Sequence, residues 1–180
     1  MSPTTDVDTY ALTPDQVDFR DTIRQIVRER VAPRAAEIDA KAEYPWDLRK
    51  LFAEQDLLGL PFEEAYGGTG TGTLMLNVAV EEIARACASS ALILMIQELG
   101  TLPIQLFGSD ELKQRFLPKC ASGEWSPAFA LSEPEAGSDP GGMITRAVKD
   151  VAGVLGGFAT EVFEIRDSAR KAGAEHDPED

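Results

Sequence analysis

Residues 128–142, which read AFALSEPEAGSDPGG, combine hydroxyls, carboxylates and glycines in a pattern that could hold a ligand. An alternating apolar run ends at Ser132, and a second hydroxyl follows at Ser138. Gly137 lets another molecule approach the backbone closely because it has no Cβ. Two interpretations stay open on these grounds: a turn that holds a polar ligand, or an ordinary strand–turn–strand hairpin.

Three other groups of residues are weaker candidates for chemistry. The stretch GGTGTG at 67–72 lacks the lysine of a phosphate-binding loop and follows no strand, so we interpret it as a flexible connection between helices. The pairs Glu63-Glu64 and Glu81-Glu82 are adjacent in sequence, and adjacent helical side chains do not face each other. We therefore expect both glutamate pairs on solvated faces rather than in an acid–base site.

The cysteines and the histidine predict neither a metal site nor a nucleophilic triad. Cys87 and Cys120 are far apart in sequence, and His176 lies in an acidic tail. A structural zinc site needs four such ligands at close spacing. We expect two buried or idle thiols in a reduced compartment, with Cys87 at a close helix contact among small residues.

Composition restricts the partners. The chain has 180 residues, is 43% hydrophobic and carries a formal net charge of −14. That charge argues against nucleic acid or an anionic membrane, whereas a small phosphorylated ligand held by backbone N–H groups stays possible. The acidic start, MSPTTDVDTY, is unlike a signal peptide, and the apolar run at 91–96 is too short to span a bilayer. We predict a cytoplasmic protein.

The elements that must position the candidate turn are mainly helices. Residues 1–12 are expected to be a flexible leader. A capping box at Thr13 to Gln16 then starts a helix that runs to about Val31 and resumes after Pro33. Apolar spacing predicts four more helices, and the third and fourth of the five are apolar on most sides. These four cover about residues 45–57, 73–87, 90–106 (with a possible kink at Pro103) and 111–121.

The periodicity changes near residue 124, which marks the predicted domain boundary. Residues 128–131 and 143–148 read as strands around a loop at 132–142. From Val151 to Ile165 the apolar spacing predicts an amphipathic helix, although Gly153, Gly156 and Gly157 weaken it. The chain from Lys171 on is polar and expected to be disordered. The predicted fold is therefore mainly α: a helical domain at 13–123, an incomplete β-domain segment at 124–150, and a tail at 151–180.

These features together resemble the acyl-CoA dehydrogenase family. The stretch from Phe129 to Asp139 resembles that family's flavin signature at the start of its middle β-domain. Several shorter matches precede it in register, and the resemblance covers about residues 12–150. The shorter matches are Leu12 to Gln16, Val31 to Pro33, Leu57 to Leu60, Glu64 to Gly68, Glu81 to Arg85, Gly108-Ser109, Leu117-Pro118 and Ser122 to Glu124.

The resemblance implies FAD as cofactor and acyl-CoA as substrate. Ser132 stands where the family usually has threonine, so a hydroxyl for the flavin ring is kept, and Ser138 would contact the pantetheine–pyrophosphate part of CoA. The third and fourth helices would help to line the acyl pocket. The implied flavin-binding residues are Phe129, Ala130, Leu131, Ser132, Glu133, Pro134, Gly137 and Ser138.

The sequence departs from the family after about residue 150. Family members continue through a full β-domain and a C-terminal helical domain that carries the catalytic base, whereas VAGVLGGFATEVFEIRDSARKAG does not match them. No catalytic residue is assigned, and we expect the chain to be inactive alone. Three hypotheses follow: a truncated or frameshifted flavoenzyme of acyl-CoA oxidation, a non-catalytic acyl-CoA-binding partner of itself or of a longer relative, or a fragment without function.

Overall fold

The computed structural model describes residues 11–145, 147–149 and 163–165. Helices dominate these residues, which confirms the predicted mainly α fold. The chain divides into two compact units between Phe129 and Ala130, and each unit is described by itself below. The predicted domain boundary after Gly123 precedes this division and stays a prediction. The expected leader at residues 1–10 and the tail from Lys171 lie outside the described residues.

Seven α-helices form the first unit among the described residues, and most were predicted. The N-cap Thr13 and Gln16 make the capping box reciprocally, since the Gln16 N–H donates to Thr13 Oγ1 (3.4 Å) and the Thr13 N–H to Gln16 Oε1 (2.9 Å). The helices are α1 (Pro14–Ile26), α2 (Ala35–Lys41), α3 (Trp46–Glu54), α4 (Gly72–Ala84), α5 (Ala88–Leu99), α6 (Leu102–Phe107) and α7 (Asp110–Ala121). A π-helical turn (Val27–Val31) and a 3₁₀ turn (Ala32–Arg34) join α1 to α2, so the helix resumes as expected.

The predicted fourth helix is two helices. The break falls at Gly100 and Thr101 rather than at Pro103, because Pro103 lies in the first turn of α6, where a missing N–H costs nothing. The Thr101 hydroxyl donates to the Gln97 carbonyl oxygen (2.7 Å) across the break. Among the described residues, only Ala88–Phe107 is long and apolar enough to span a membrane, and about a third of it is buried in the unit. A core helix has the same composition, so this stretch does not indicate a membrane span.

Residues of the five helices α1, α2, α3, α4 and α5 form one hydrophobic core. Phe52, Leu58 and Leu94 are completely shielded from solvent, and Cys87 lies in the same core beside Ser90, whose hydroxyl donates to Cys87 Sγ (3.1 Å). A smaller cluster forms around α7 and includes Cys120. Both cysteines are free and buried, as predicted, and Cys87 makes the expected helix contact.

The prediction of a solvated face for both adjacent glutamates of α4 is wrong for Glu82. Glu81 is exposed, but only 6% of Glu82 is exposed, and its carboxylate accepts from Arg24 Nε of α1 (2.9 Å). Arg85 lies on the other carboxylate oxygen (3.4 Å). The Arg24 hydrogen bond lowers the pKa of Glu82 more than burial raises it. A buried carboxylate is tolerated here because a guanidinium neutralises it.

The glycine-rich stretch at 67–72 connects a 3₁₀ turn (Glu64–Tyr66) to α4, as predicted, but it is held in place rather than loose. The Gly68 N–H donates to the Glu63 carbonyl and the Gly70 N–H to the Phe62 carbonyl. A Cβ on Gly68 would lie 2.1 Å from the Phe62 carbonyl oxygen, so the close approach requires glycine.

The second unit contains little regular structure among its described residues. The predicted strand at 128–131 is wrong: these residues make no strand, because no described segment pairs with them. The predicted strand at 143–148 is wrong at 143–145; β1 spans Ala147–Lys149 and pairs antiparallel with β2 (Phe163–Ile165). The predicted helix at 151–165 is therefore wrong for Phe163–Ile165, which form β2 because their backbone pairs with β1. Residues 151–162 lie outside the described part of the chain.

Candidate functional site

A cavity of about 630 Å³ opens on the first unit beside α5. One side is apolar and comes from Leu92, Ile93 and Ile96 of α5. Leu92 is 53% exposed, an unfavourable position for a large apolar side chain in water. The remaining lining residues come from the first turn of α5, the end of α2, the α2–α3 turn and the segment 126–129: Ser89, Ile38, Asp39, Ala42, Glu43, Tyr44, Pro45, Ser126, Pro127, Ala128 and Phe129.

The cavity suits an elongated ligand with an apolar chain. α5 continues its exposed apolar face beyond the cavity with Met95 and Leu99, which are 47% and 42% exposed. The opposite rim is polar, with Tyr44 and Ser126. Of the two helices predicted to line an acyl pocket, α5 lines the cavity and α4 contributes no residue to its lining among the described residues.

Sequence reasoning missed Tyr44, which lines the cavity, and Arg49, which lies near Tyr44 but does not line the cavity. Tyr44 lies directly before Pro45 in the α2–α3 turn, and burial raises the pKa of its hydroxyl while neighbouring Arg49 and Ser126 lower it. Arg49 lies on the buried face of α3, next to Leu48. A charged residue on the apolar face of a helix was a signal available from the sequence.

The predicted flavin-binding residues lie on both sides of the division between the units. Phe129 ends the first unit and lines the cavity, whereas Ala130 to Ser138 belong to the second unit. Leu131 and Ser132 are exposed, and no backbone group of residues 129–132 hydrogen-bonds to another described residue. The segment therefore presents free backbone donors and acceptors beside the Ser132 hydroxyl.

Glu133 determines the shape of the loop that follows. Its N–H and carbonyl pair with Ala136 (2.8 and 3.2 Å), which closes a tight turn around Pro134. Its carboxylate accepts from the backbone N–H groups of Ile144 (2.8 Å) and Thr145 (2.9 Å). Hydrogen bonds from the Thr145 side chain and from the Ile144 backbone lower the pKa of Glu133. The carboxylate therefore closes the loop from 133 to 145.

The tip of the loop is open to a ligand. Ser138 is exposed, and nothing lies within 4 Å of the position that a Cβ would take on Gly137. Asp139 Oδ1 accepts from the Gly141 N–H (3.0 Å) and starts a short 3₁₀ turn, Pro140–Gly142. The loop thus combines free backbone groups, two hydroxyls and open space, a set that fits a polar ring system such as a flavin.

The part of the chain that the structure describes contains no group of three metal-ligating side chains. Cys120 is buried, burial raises the pKa of its thiol, and Arg49 lowers it. A buried thiol with a raised pKa is a poor nucleophile, because the thiolate is the reactive form. The described residues therefore contain two candidate sites, the cavity of the first unit and the loop of the second.

Comparison with known proteins gives a consistent result. The family described as acyl-CoA dehydrogenase, N-terminal domain, matches residues 13–124. A cyclohexane-1-carbonyl-CoA dehydrogenase of Geobacter metallireducens is 46% identical over 132 residues, which are 72% of this chain and 34% of that protein. A probable acyl-CoA dehydrogenase of Bacillus subtilis is 38% identical over 142 residues, 78% of this chain and 37% of that protein.

Solved structures agree with the sequence relatives. Butyryl-CoA dehydrogenase from Megasphaera elsdenii superposes with a TM-score of 0.70 at 34% identity, over 79% of this chain and 38% of that one. A glutaryl-CoA dehydrogenase from Mycobacterium smegmatis in complex with FADH2 gives 0.71 at 33% identity, over 78% and 36%. The chain thus spans little more than a third of the length of these relatives.

Proposed function

This chain belongs to the acyl-CoA dehydrogenase family, and we propose that it supplies the acyl-binding wall and one flavin-contacting segment of such an enzyme. The cavity beside α5 is the observation that carries this proposal. Its apolar side, from Leu92, Ile93 and Ile96, can hold a hydrocarbon chain, and its polar residues Tyr44 and Ser126 can face the thioester and the pantetheine arm. Acyl-CoA is the proposed ligand.

The loop from Ala130 to Ser138 is the proposed flavin segment. Residues 129–132 have backbone groups free to hydrogen-bond the flavin ring, and Ser132 adds a hydroxyl. Ser138 is proposed to contact CoA at the open tip of the loop. FAD, when bound, accepts a hydride from the β-carbon of the acyl group while a base removes the α-proton, which gives the 2-enoyl-CoA.

The proposed contribution of this chain is binding and orientation, not proton abstraction. The carboxylates at the cavity rim, Asp39 and Glu43, are both exposed to water. A catalytic base in this chemistry must lie within hydrogen-bond distance of the substrate proton and in an enclosed site. We therefore expect the chain alone to bind acyl-CoA without oxidising it, and to oxidise it only with a partner that supplies the base.

One observation favours a second candidate function, a non-catalytic acyl-CoA-binding subunit. The whole cavity is built from residues 38–129, within the first unit. Binding of the acyl chain in this cavity therefore needs no residue of the second unit, and it can persist without flavin. The partner would be a longer acyl-CoA dehydrogenase or a second copy of this chain.

The test is a binding titration with the purified full chain. Calorimetry with free CoA and with acyl-CoAs of increasing length should show affinity that rises with chain length. Leu92→Gln should weaken the binding of long acyl-CoAs about three- to tenfold, because it places an amide on the apolar wall. Leu106→Gln is the matched control, since Leu106 is similarly exposed (61%) but lies off the cavity. Equal effects of both substitutions would contradict the proposed pocket.

A second measurement separates the two candidate functions. Absorbance of the purified chain shows whether flavin is bound, and acyl-CoA-dependent reduction of a dye shows oxidation. Flavin without dye reduction supports an enzyme segment that needs its base from a partner. Acyl-CoA binding without flavin supports the binding subunit. Dye reduction by the chain alone would overturn the proposal that it lacks the base.

A further inference from the structure

Arg49 connects two distant parts of the first unit. It is 8% exposed, and its Nη1 donates to the Gly123 carbonyl oxygen (2.7 Å) while its Nη2 donates to the Trp125 carbonyl oxygen (2.8 Å). Both bonds join α3 to a segment more than seventy residues later in the chain. Hydrogen bonds from a charged donor are stronger than neutral ones. Arg49 therefore fixes the start of the segment that follows α7.

The segment can approach Arg49 closely because residue 123 is a glycine. Gly123 has φ +80°, and a Cβ there would lie 2.9 Å from Leu58 Cδ1 and 3.0 Å from Ala53 Cβ. Trp125 is held further by its N–H, which donates to the Lys119 carbonyl (2.9 Å). The backbone up to Trp125 is therefore fixed at several points.

The next four residues, 126–129, form one wall of the acyl cavity and are held far less. Their backbone groups make no hydrogen bond to another described residue. The wall contacts the end of α5 closely: a Cβ on Gly100 would lie 2.8 Å from Pro127 Cβ. The position of this wall is thus determined by the hydrogen bonds of Arg49 to the preceding residues and by the contact of Pro127 with Gly100.

We propose that Arg49 is a positioning residue that sets the distance between the wall 126–129 and the apolar face of α5, and so sets which acyl chains the cavity accepts. This inference rests on the proposed acyl-CoA binding. Arg49 does not line the cavity, so its effect passes through the Gly123 and Trp125 carbonyls. Tyr44, which lines the cavity, lies near both Arg49 and Ser126 and so connects the same anchor to the first residue of the wall.

The test compares three full-chain variants. Arg49→Met keeps an unbranched apolar side chain but removes both hydrogen-bond donors. Arg49→Lys keeps the positive charge and can reach one carbonyl. Arg85→Met is the control, because Arg85 is an exposed arginine that does not line the cavity. Each variant is titrated with free CoA and with acyl-CoAs of increasing length. Hydrogen exchange of the Trp125 amide, which is protected by its hydrogen bond to the Lys119 carbonyl (2.9 Å), is measured without ligand.

Arg49→Met should reduce the affinity gained from a long acyl chain about tenfold, because the wall is no longer held at a fixed distance from α5, while free CoA binds unchanged. Arg49→Lys should restore part of that gain and Arg85→Met should leave it intact. Exchange of the Trp125 amide should accelerate in Arg49→Met. If Arg49→Met does not fold, an intermediate loss in Arg49→Lys confined to long acyl chains supports the inference, and no loss overturns it.

Two further outcomes separate this inference from the proposed function. Unchanged exchange of the Trp125 amide in Arg49→Met would show that Arg49 does not hold this segment. An equal loss of affinity for free CoA and every acyl-CoA in the Arg49 variants would show an ordinary structural role. Either result would overturn the inference alone. Wild-type affinity that does not depend on acyl length would overturn the proposed acyl pocket itself. In that case, the selectivity role of Arg49 also fails.

Discussion

The cavity of the helical unit and the loop of the second unit are held by different forces. The helical unit that bears the cavity has a continuous core in which side chains such as Phe52 and Leu94 are fully buried. The loop from 130 to 145 has one buried side chain among its described residues, Ala136, and takes its shape from hydrogen bonds to Glu133 and Asp139. Burial of apolar area is the larger stabilising contribution, whereas exposed hydrogen bonds contribute little net free energy.

This difference separates the proposed acyl-binding cavity from the proposed flavin-contacting loop. The cavity is part of a unit whose conformation the core determines, so we expect it to form without any ligand. The loop has few contacts that hold it against competing conformations, so its geometry depends on solvent conditions and on whatever binds it. The following substitutions test that contrast, from the largest expected effect to the smallest.

Phe52→Ala should have the largest effect, a loss of about 3–5 kcal/mol in the free energy of unfolding, because it leaves a cavity in the core. Phe107→Ala is the matched control: Phe107 is 86% exposed, and its loss should change stability by less than about 0.5 kcal/mol. Denaturant unfolding followed by circular dichroism measures both. Similar losses for the two variants would refute the assignment of the core.

Gly68→Ala should destabilise the helical unit by about 2 kcal/mol or more, since the new methyl group overlaps the Phe62 carbonyl oxygen. Gly137→Ala, in the loop, meets open space and should change stability by less than about 0.5 kcal/mol. The same denaturant titration compares them. A large loss in Gly137→Ala would mean that the loop is packed more tightly than the structure shows.

Two residues of the helical unit adopt left-handed backbone conformations without being glycine, Ala42 (φ +50°) and Asp56 (φ +55°). Ala42→Gly should stabilise the unit by about 0.5–1 kcal/mol, because glycine has no Cβ to strain the C-cap of α2. Asp56→Gly should gain less, since aspartate tolerates this region better than alanine. Thermal unfolding checks the order, and a destabilised Ala42→Gly variant would contradict it.

Acidification should loosen the loop without unfolding the helices. The folded-state pKa of Glu133 is lowered, so its hydrogen bonds are fully present above the unfolded-state pKa and are lost as pH falls through the folded value. The amides of Ile144 and Thr145 should then lose protection from hydrogen exchange, after correction for the intrinsic rate at each pH. Glu133→Gln is the control, because its amide cannot titrate. The same pH dependence in that variant would exclude Glu133 as the cause.

Much of the helical unit was predictable because its signals are local. The capping box at Thr13, the N-cap at Ser109 and the apolar spacing in between all refer to neighbours within four residues. The break at Gly100 and Thr101 was missed because Pro103 offered a stronger local signal. The burial of Glu82 was missed for another reason: its partner Arg24 is 58 residues away.

The candidate site was only partly predictable from the sequence. The resemblance drew attention to residues 129–138 but could not indicate that Glu133 bonds to Ile144 and Thr145. The predicted strand at 128–131 rested on alternation alone, and a strand also needs a partner. Arg49 and Tyr44 act through contacts with the distant segment around Trp125, which periodicity does not reveal.

Both tryptophans of the chain lie in the helical unit, and their surroundings differ. Trp46 is 65% exposed, whereas the Trp125 ring lies 5.6 Å from Phe116 and under the Lys119 ammonium (4.3 Å). Intrinsic fluorescence will therefore report on the helical unit, with Trp125 in the backbone segment that Arg49 anchors. The loop from 130 to 145 contains no tryptophan. Its movements will be invisible to intrinsic emission unless a fluorophore is introduced there.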